Sequence, residues 1–158
     1  MFLAEQSILR EVLAPWLVGE LEHVGSTAVP GLAAKPVIDI MAPVGSLVTS
    51  RAAIEAAASV GYLYFPYKPS EMHWFCKPSP AHRTHHLHIV PLASELWRQR
   101  LTFRDALRIN AALAQEYALL KLRLAEQFRN DREAYTEAKA PFILSVLQNV
   151  GAHRSSEG

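Results

Sequence analysis

The sequence predicts an α+β domain in which a mixed β-sheet occupies about the first two thirds and helices pack behind and after it. Residues 37–44, VIDIMAPV, are β-branched and almost wholly apolar, which is typical of a strand covered on both faces. From Ser94 onward, apolar residues recur every three or four positions, as they do in helices. We expect residues 1–158 to form a single domain, with a core from about 5 to 150 and a flexible tail at 151–158.

The first part of the chain alternates between helical and strand patterns. Helical spacing predicts a helix over 4–17 that ends near Pro15, and 21–25 is a short strand that leads into the turn-rich stretch GSTAVPGLAAKP. Residues 46–60 return to helical spacing, with Ser46 or Thr49 as the N-cap.

The next two strands follow from aromatic and β-branched residues. Segments 62–67 and 72–77 are rich in aromatic side chains and are separated by KPSE, which indicates a hairpin. Residues 84–90, THHLHIV, form a further strand that Pro91 ends.

Three helices are predicted after the last strand. The first covers about 94–109, with Ser94 as its N-cap. The second is marked by leucine and aromatic residues over 113–128. Asn130 and Glu133 resemble a capping box for the third helix. Pro141 should kink or restart that helix.

Composition excludes several classes of protein. Half of the 158 residues are hydrophobic (50%), and 16 basic residues nearly balance 15 acidic ones, so we expect neither disorder nor electrostatic binding to nucleic acid or a membrane surface. The one cysteine, Cys76, excludes an intrachain disulfide and fits a reducing compartment. Residues 1–17 have neither the basic start of a signal peptide nor an uninterrupted apolar run. We therefore expect a cytoplasmic protein.

Alternation along the strands decides which polar groups can meet. His86 and His88, the histidine pair, share one face of their strand, and Asp39 and Met41 share one face of theirs. The aliphatic residues on the opposite faces can pack in the core, which would leave Asp39 and the histidine pair on an open face. If the two strands are neighbours, one carboxylate and two imidazoles converge. Such a set could bind a divalent transition metal, or it could form hydrogen bonds at the rim of a cleft.

Candidate phosphate-binding groups lie in the turn after the first strand. Gly25 and Ser26 form a Gly-Ser turn whose backbone N–H groups and hydroxyl could bind phosphate. The alternative is a tight turn that needs glycine for its backbone angles and serine as a helix cap. Lys35 could reach an anionic ligand or could be solvated.

Arginines recur on the helix after the last strand. Arg100, Arg104 and Arg108 are spaced i, i+4 and i+8, so they form one stripe. The stripe could clamp a phosphate, or it could be a solvated face paired with acidic neighbours.

The stretch LEHVGSTAVPGLAAKPVIDIMAPV closely resembles the signature of the GrpB family, also called UPF0157. The likeness continues in HRTHHLHIVP, in LTFRDALR and in the last helices, from about residue 5 to 150. GrpB proteins in turn resemble the DNA polymerase beta-like nucleotidyltransferase superfamily. The resemblance therefore implies a nucleotidyltransferase-like mixed sheet with a helical C-terminal third.

In that superfamily, a Gly-Ser turn holds nucleotide phosphates, and carboxylates on two strands bind two magnesium ions. Residues 25–26 match the turn, and Asp39 matches the first acid. Met41 stands where the second acid should be, and the later strand carries the histidine pair instead of a carboxylate. Because magnesium prefers oxygen ligands, the resemblance implies either a reaction with a softer metal or a loss of catalysis.

Three functions remain open at this point. The first is metal-dependent nucleotidyl or phosphoryl transfer, with magnesium, manganese or zinc as the divalent ion. The second is a non-catalytic module that binds a nucleotide or a coenzyme A precursor. Family members also resemble a segment attached to dephospho-CoA kinases. That resemblance implies a coenzyme A precursor as ligand and association with an enzyme of coenzyme A biosynthesis. The third is a phosphoesterase in which the histidine pair holds a metal that activates water. The expected phosphate contacts are Gly25, Ser26, Lys35, Arg83 and Arg104, and the expected catalytic and metal-binding residues are Asp39, His86 and His88.

Overall fold

A mixed β-sheet forms the framework of the first part of the chain. The computed structural model describes residues 2–32 and 37–157. The strands in these residues are β1 (Glu22–Val24), β2 (Ile38–Val44), β3 (Leu63–Phe65), β4 (His73–Pro78) and β5 (Arg83–Pro91). They lie in the order β1-β2-β5-β4-β3, with β2 and β5 parallel and the other neighbours antiparallel. The predicted α+β class with a mixed sheet is confirmed, and so is the hairpin of β3 and β4.

Helices precede, interrupt and follow the sheet. Over the described ranges they are α1 (Phe2–Val12), α2 (Ala53–Ala58), α3 (Glu95–Ile109), α4 (Ala111–Gln127) and α5 (Arg132–Glu157), with a short 3-10 helix at Ser26–Ala28. No helix within these ranges combines the length and the apolar character needed to cross a membrane.

Aliphatic side chains on one face of the sheet build the main core. Ile40 of β2, Phe75 of β4 and Leu87 of β5 are fully buried there, and Leu9 of α1 and Ala57 of α2 pack in the same cluster. Burying a side chain of the size of isoleucine, leucine or phenylalanine contributes roughly 1.5–3 kcal/mol. The alternation that assigned the aliphatic residues of β2 and β5 to the core is confirmed.

The opposite face of β2 is more covered than the alternation predicted. Met41 is completely buried and His88 is 5% exposed, whereas 24% of the Asp39 side chain remains exposed. The expectation of an open face was therefore wrong along most of β2. The apolar composition of the strand, which is typical of coverage on both sides, is the physical reason.

A polar cluster ties α1 to the sheet. The Lys77 ammonium donates to Glu5 Oε1 at 2.7 Å, and the Tyr62 hydroxyl donates to Glu5 Oε2 at 2.9 Å. Burial alone would raise the pKa of Glu5, but the hydrogen bonds from Lys77 and Tyr62 outweigh it and lower the pKa from its usual value. The ionised carboxylate is therefore the form that the folded chain stabilises.

Two early helices are shorter than predicted. The helix expected over 4–17 is α1, which ends at Val12. Pro15 lacks a backbone N–H and disfavours helical geometry in the residue before it, so the helix cannot continue. The helix expected over 46–60 is reduced to α2. Ser46 caps a turn rather than that helix, since its hydroxyl accepts the Thr49 N–H at 3.1 Å.

Caps define the later helices. Ser94 caps α3 as predicted, with its hydroxyl accepting a backbone N–H at 3.2 Å. Asn110, which the sequence analysis did not identify, caps α4, and its Oδ1 accepts a backbone N–H at 3.0 Å. The cap of α5 is Asp131 rather than Asn130, because the Asp131 carboxylate accepts the N–H three residues later at 3.0 Å. Pro141 lies inside α5, so the helix does not restart there.

The described residues divide into two compact units, 2–28 with 37–100 and 29–32 with 101–157. The first unit contains the sheet. The second contains α4 and α5 and has its own apolar cluster, in which the Tyr117 ring stacks on Phe142 at 5.5 Å and contacts Phe103 edge-on. The single domain and the flexible end expected from the sequence stay predictions, and α5 extends to Glu157.

Candidate functional site

The register between β2 and β5 places Asp39 directly opposite His86 and Met41 opposite His88. Asp39 Oδ1 lies 3.0 Å from His86 Nδ1 and 3.3 Å from His88 Nε2. The structure therefore brings together one carboxylate and two imidazoles, as expected if the two strands are neighbours. All three side chains are at least three-quarters shielded from solvent.

The Gly25 turn packs directly against the Asp39 carboxylate. Gly25 has a φ of +77°, a left-handed conformation that residues with a Cβ rarely adopt. A Cβ added there would overlap Asp39 Oδ2 and lie 3.0 Å from Asp39 Cγ. Glycine is therefore needed at this position for its backbone angle and for the space that the carboxylate occupies.

Hydrogen bonds tie the turn to the two strands beside it. The Thr27 hydroxyl donates to the Val37 carbonyl at 3.0 Å and lies 2.9 Å from His23 Nε2. Because the hydroxyl has one proton, which goes to the carbonyl, His23 Nε2 is the donor in the second bond. The Phe2 ring stacks on His23 with centroids 4.7 Å apart. Thr27 thus ties the turn that carries Gly25 to His23 of β1 and to the residue before β2.

Electrostatics fix the charge of the site. Burial alone would raise the pKa of Asp39, but the hydrogen bonds from His86 and His88 hold the pKa well below the usual value of a carboxyl group. Burial, together with the nearby charge of Arg100, lowers the pKa of His88 to about 4. At neutral pH the site therefore contains an ionised carboxylate and a neutral His88.

Arg100 contacts the site through His88. Its Nη1 donates to His88 Nδ1 at 2.9 Å. The spacing of the arginines placed Arg100 only in an arginine stripe and did not predict this contact. The available signal was its position on the helix that directly follows the strand of the histidine pair.

Trp74 and Arg83 extend the site along the sheet. The Trp74 ring lies 5.2 Å from the His86 ring, and the Arg83 guanidinium lies 5.1 Å from the Trp74 centroid. His86 Nε2 is buried and has no hydrogen-bond partner among the described residues. Arg83 thus connects to His86 through the Trp74 ring.

The structure describes two of the three remaining predicted phosphate ligands. Ser26 is half-buried beside Gly25 in the turn. Arg104 belongs to the second compact unit and pairs with Asp105 at 2.9 Å. Lys35 lies outside the described residues. Phosphate binding by these residues stays a prediction.

The donor set of the site decides which metal it fits. One ligand atom from each of Asp39, His86 and His88 lies within 4.8 Å of the other two. One oxygen and two nitrogens are typical ligands of a transition metal, whereas magnesium prefers oxygen. Met41, which the resemblance aligns with the second acid of the superfamily, is buried. The residues therefore do not fit the pair of magnesium ions that the superfamily implies.

Comparison with known proteins identifies the family. The profile of the family described as GrpB protein matches residues 1–149. This chain belongs to the GrpB family. A UPF0157 protein of Deinococcus radiodurans is 42% identical over 127 residues, which cover 80% of this chain and 65% of the relative. The Pseudomonas aeruginosa UPF0157 protein is 40% identical, with 92% and 61% coverage, so this GrpB protein spans less than two thirds of the length of these two relatives.

Solved structures confirm the expected fold. The conserved protein GrpB from Enterococcus faecalis is 32% identical to this GrpB protein, with a TM-score of 0.80 and coverage of 94% and 88% of the two chains. The Cid1 poly(U) polymerase, in a structure bound to MgATP, is 16% identical with a TM-score of 0.56, covering 87% of this GrpB protein and 47% of Cid1. At that identity the likeness concerns the fold, which is nucleotidyltransferase-like as predicted.

Proposed function

We propose that this GrpB protein binds a nucleotide or another phosphorylated small molecule beside Asp39 and transfers a nucleotidyl or phosphoryl group from it to the hydroxyl of an acceptor. The hydroxyl oxygen forms the new bond to phosphorus, and pyrophosphate leaves in nucleotidyl transfer, or the remainder of the donor in phosphoryl transfer. The observation that carries this proposal is the packing of the Gly25 turn on the Asp39 carboxylate. A turn of this kind beside a strand carboxylate is the expected phosphate site of a nucleotidyltransferase-like fold. The Cid1 structures, which share the fold, contain MgATP or a UTP analogue.

The turn supplies neutral donors for phosphate oxygens. Gly25 is exposed and Ser26 is half-buried, so backbone N–H groups of the turn and the serine hydroxyl would contact the ligand there. Arg83 would offset part of the phosphate charge from its place over Trp74.

Asp39 acts as a fixed negative charge rather than as a proton acceptor. Its low pKa makes the carboxylate a weak base at neutral pH, since an efficient general base has a pKa near the working pH. Orienting an imidazole and offsetting the charge of a single divalent ion, such as manganese or zinc, is a role that fits this property. His86, whose ring Asp39 holds through Nδ1, would hold such an ion, which would supply Lewis-acid stabilisation of phosphate charge.

A second candidate function is ligand binding without catalysis. The complete burial of Met41, at the position of the second acid, favours it, because the chain lacks the oxygen ligands of a two-metal transferase at that point. This candidate predicts saturable binding of a nucleotide or a coenzyme A precursor and no product.

Transfer is tested by incubating the full chain with nucleotides labelled at the α- or γ-phosphate, in manganese, zinc or magnesium. We expect labelled product with the wild type and none with Asp39→Asn. Asp131→Asn is the matched control, since asparagine caps a helix as well as aspartate does. Product that is equally abundant with Asp39→Asn would refute the proposal. Binding without product would establish the second candidate, and release of phosphate to water that needs the histidine pair would indicate a phosphoesterase.

A further inference from the structure

The contact between Arg100 and His88 determines where the imidazole carries its proton. A guanidinium group has only donors, so His88 Nδ1, at 2.9 Å from Arg100 Nη1, must be the acceptor. The proton of the neutral ring is then on Nε2, which lies 3.3 Å from Asp39 Oδ1 and donates to it. In the resulting chain of hydrogen bonds, Arg100 donates to His88 and His88 donates to Asp39.

We propose that Arg100 and His88 are positioning residues that hold the Asp39 carboxylate, and that His86 is the histidine presented to a ligand or metal. Both ring nitrogens of His88 are engaged, so His88 has no lone pair to give. His86 differs, because its Nδ1 donates to Asp39 whereas its Nε2 is buried without a hydrogen-bond partner in the part of the chain that the structure describes. Native proteins rarely leave such an atom unsatisfied, which points to a group that binds there.

The part of this inference that concerns metal rests on the proposed function. With His88 and His86 Nδ1 both committed to Asp39, His86 Nε2 is the ligand atom that this cluster offers an ion. A four-coordinate ion such as zinc needs further ligands. Phosphate oxygens of the bound molecule would supply them, so the ion and the phosphorylated ligand should bind more tightly together than either does alone.

The tautomer is tested by NMR of the full chain labelled with ¹⁵N-histidine, with long-range proton–nitrogen correlations assigned for His88. We expect His88 in the wild type to carry its proton on Nε2, and Arg100→Lys, which keeps a donor, to preserve that signature. Arg100→Met should keep the proton on Nε2, which still donates to Asp39, but should move the His88 Nδ1 resonance because that nitrogen loses its donor. The matched control is Arg98→Met, since Arg98 lies on the same helix and pairs with Glu95 on the exposed surface.

A His88 proton on Nδ1 in the wild type would overturn the proposal, and so would an unchanged His88 signature in Arg100→Met. The wild-type spectrum decides the question even where a variant fails to fold. It also requires no ligand, so its result is independent of whether the proposed transfer reaction exists.

The choice between the two histidines is tested by titrating zinc alone into the wild type, His86→Gln and His88→Gln. We expect His86→Gln to weaken zinc binding at least tenfold, and His88→Gln to change it much less because a glutamine amide can still donate to Asp39. The reverse order would overturn the proposal. If the wild type binds no zinc, the metal-binding part of the proposed function is refuted. The NMR result would still decide the roles of Arg100 and His88.

Discussion

Replacing Gly25 by alanine should destabilise the protein more than the same change at Gly31. The two glycines have nearly the same backbone conformation, with φ of +77° and +79°. An added Cβ at Gly25 would overlap the Asp39 carboxylate, whereas at Gly31 no other atom of the described chain lies within 4 Å of it. The pair of variants therefore separates the backbone strain from the contact with Asp39.

The expected magnitudes follow from these two effects. The left-handed conformation costs an alanine about 1–2 kcal/mol at either position. At Gly25 the carboxylate must also move, which would weaken a charge-assisted hydrogen bond that contributes about 1.5–3 kcal/mol. We expect a loss of about 1–2 kcal/mol for Gly31→Ala and about 3–4 kcal/mol for Gly25→Ala. In a chain of this size, each kcal/mol lowers Tm by roughly 2–4 °C.

Urea unfolding at neutral pH, followed by circular dichroism, measures both free energies of unfolding. Gly25→Ala should in addition weaken nucleotide binding, while Gly31→Ala should leave it near the wild-type value. Equal losses of stability in the two variants would refute the conclusion that the turn is packed on Asp39.

Three further predictions concern the fold. Ionised Glu5 stabilises the protein above about pH 4.5, and this contribution is lost as the pH falls. Between about pH 6 and pH 3, the Tm of the wild type should therefore fall more than that of Glu5→Gln, and parallel Tm curves would contradict this. Asn110→Ala should cost about 1 kcal/mol in urea unfolding and Asn130→Ala close to nothing, and the opposite order would show that the caps are misassigned. Ile40→Ala should lower the free energy of unfolding by about 3 kcal/mol, far more than Leu119→Ala on the surface. Similar losses in the two variants would argue against Ile40 as part of the core.

Much of the fold could be predicted from local patterns. The apolar run at 37–44 and the strand at 84–90 were recognisable because their composition and alternation are short-range properties. Helix ends were less accurate, as Asn110 and Asp131 show. Several residues near each end can act as a cap, and tertiary packing decides which one does.

The candidate site was predictable in part. Alternation alone placed Asp39 and the histidine pair on matching faces, and their approach then needed only the two strands to be neighbours. The contact of Arg100 with His88 depends on how a helix lies against the sheet, which spacing along the chain does not determine. The contact of Gly25 with Asp39 also needed three-dimensional packing, because the Asp39 side chain meets the Gly25 backbone only once β1 pairs with β2.

Nucleotide binding decides whether the Gly25 turn and Asp39 form a site for a phosphorylated ligand. The measurement is the Tm of the wild type, Asp39→Asn and the control Asp131→Asn with a panel of nucleotides and coenzyme A precursors, each with and without magnesium, manganese and zinc. A ligand at about 100 times its Kd adds roughly 2.7 kcal/mol, which corresponds to about 5–10 °C. We predict such a shift with a nucleotide and a transition metal together, absent from Asp39→Asn and kept in the control. No shift with any phosphorylated ligand, or an equal shift in Asp39→Asn, would contradict the account.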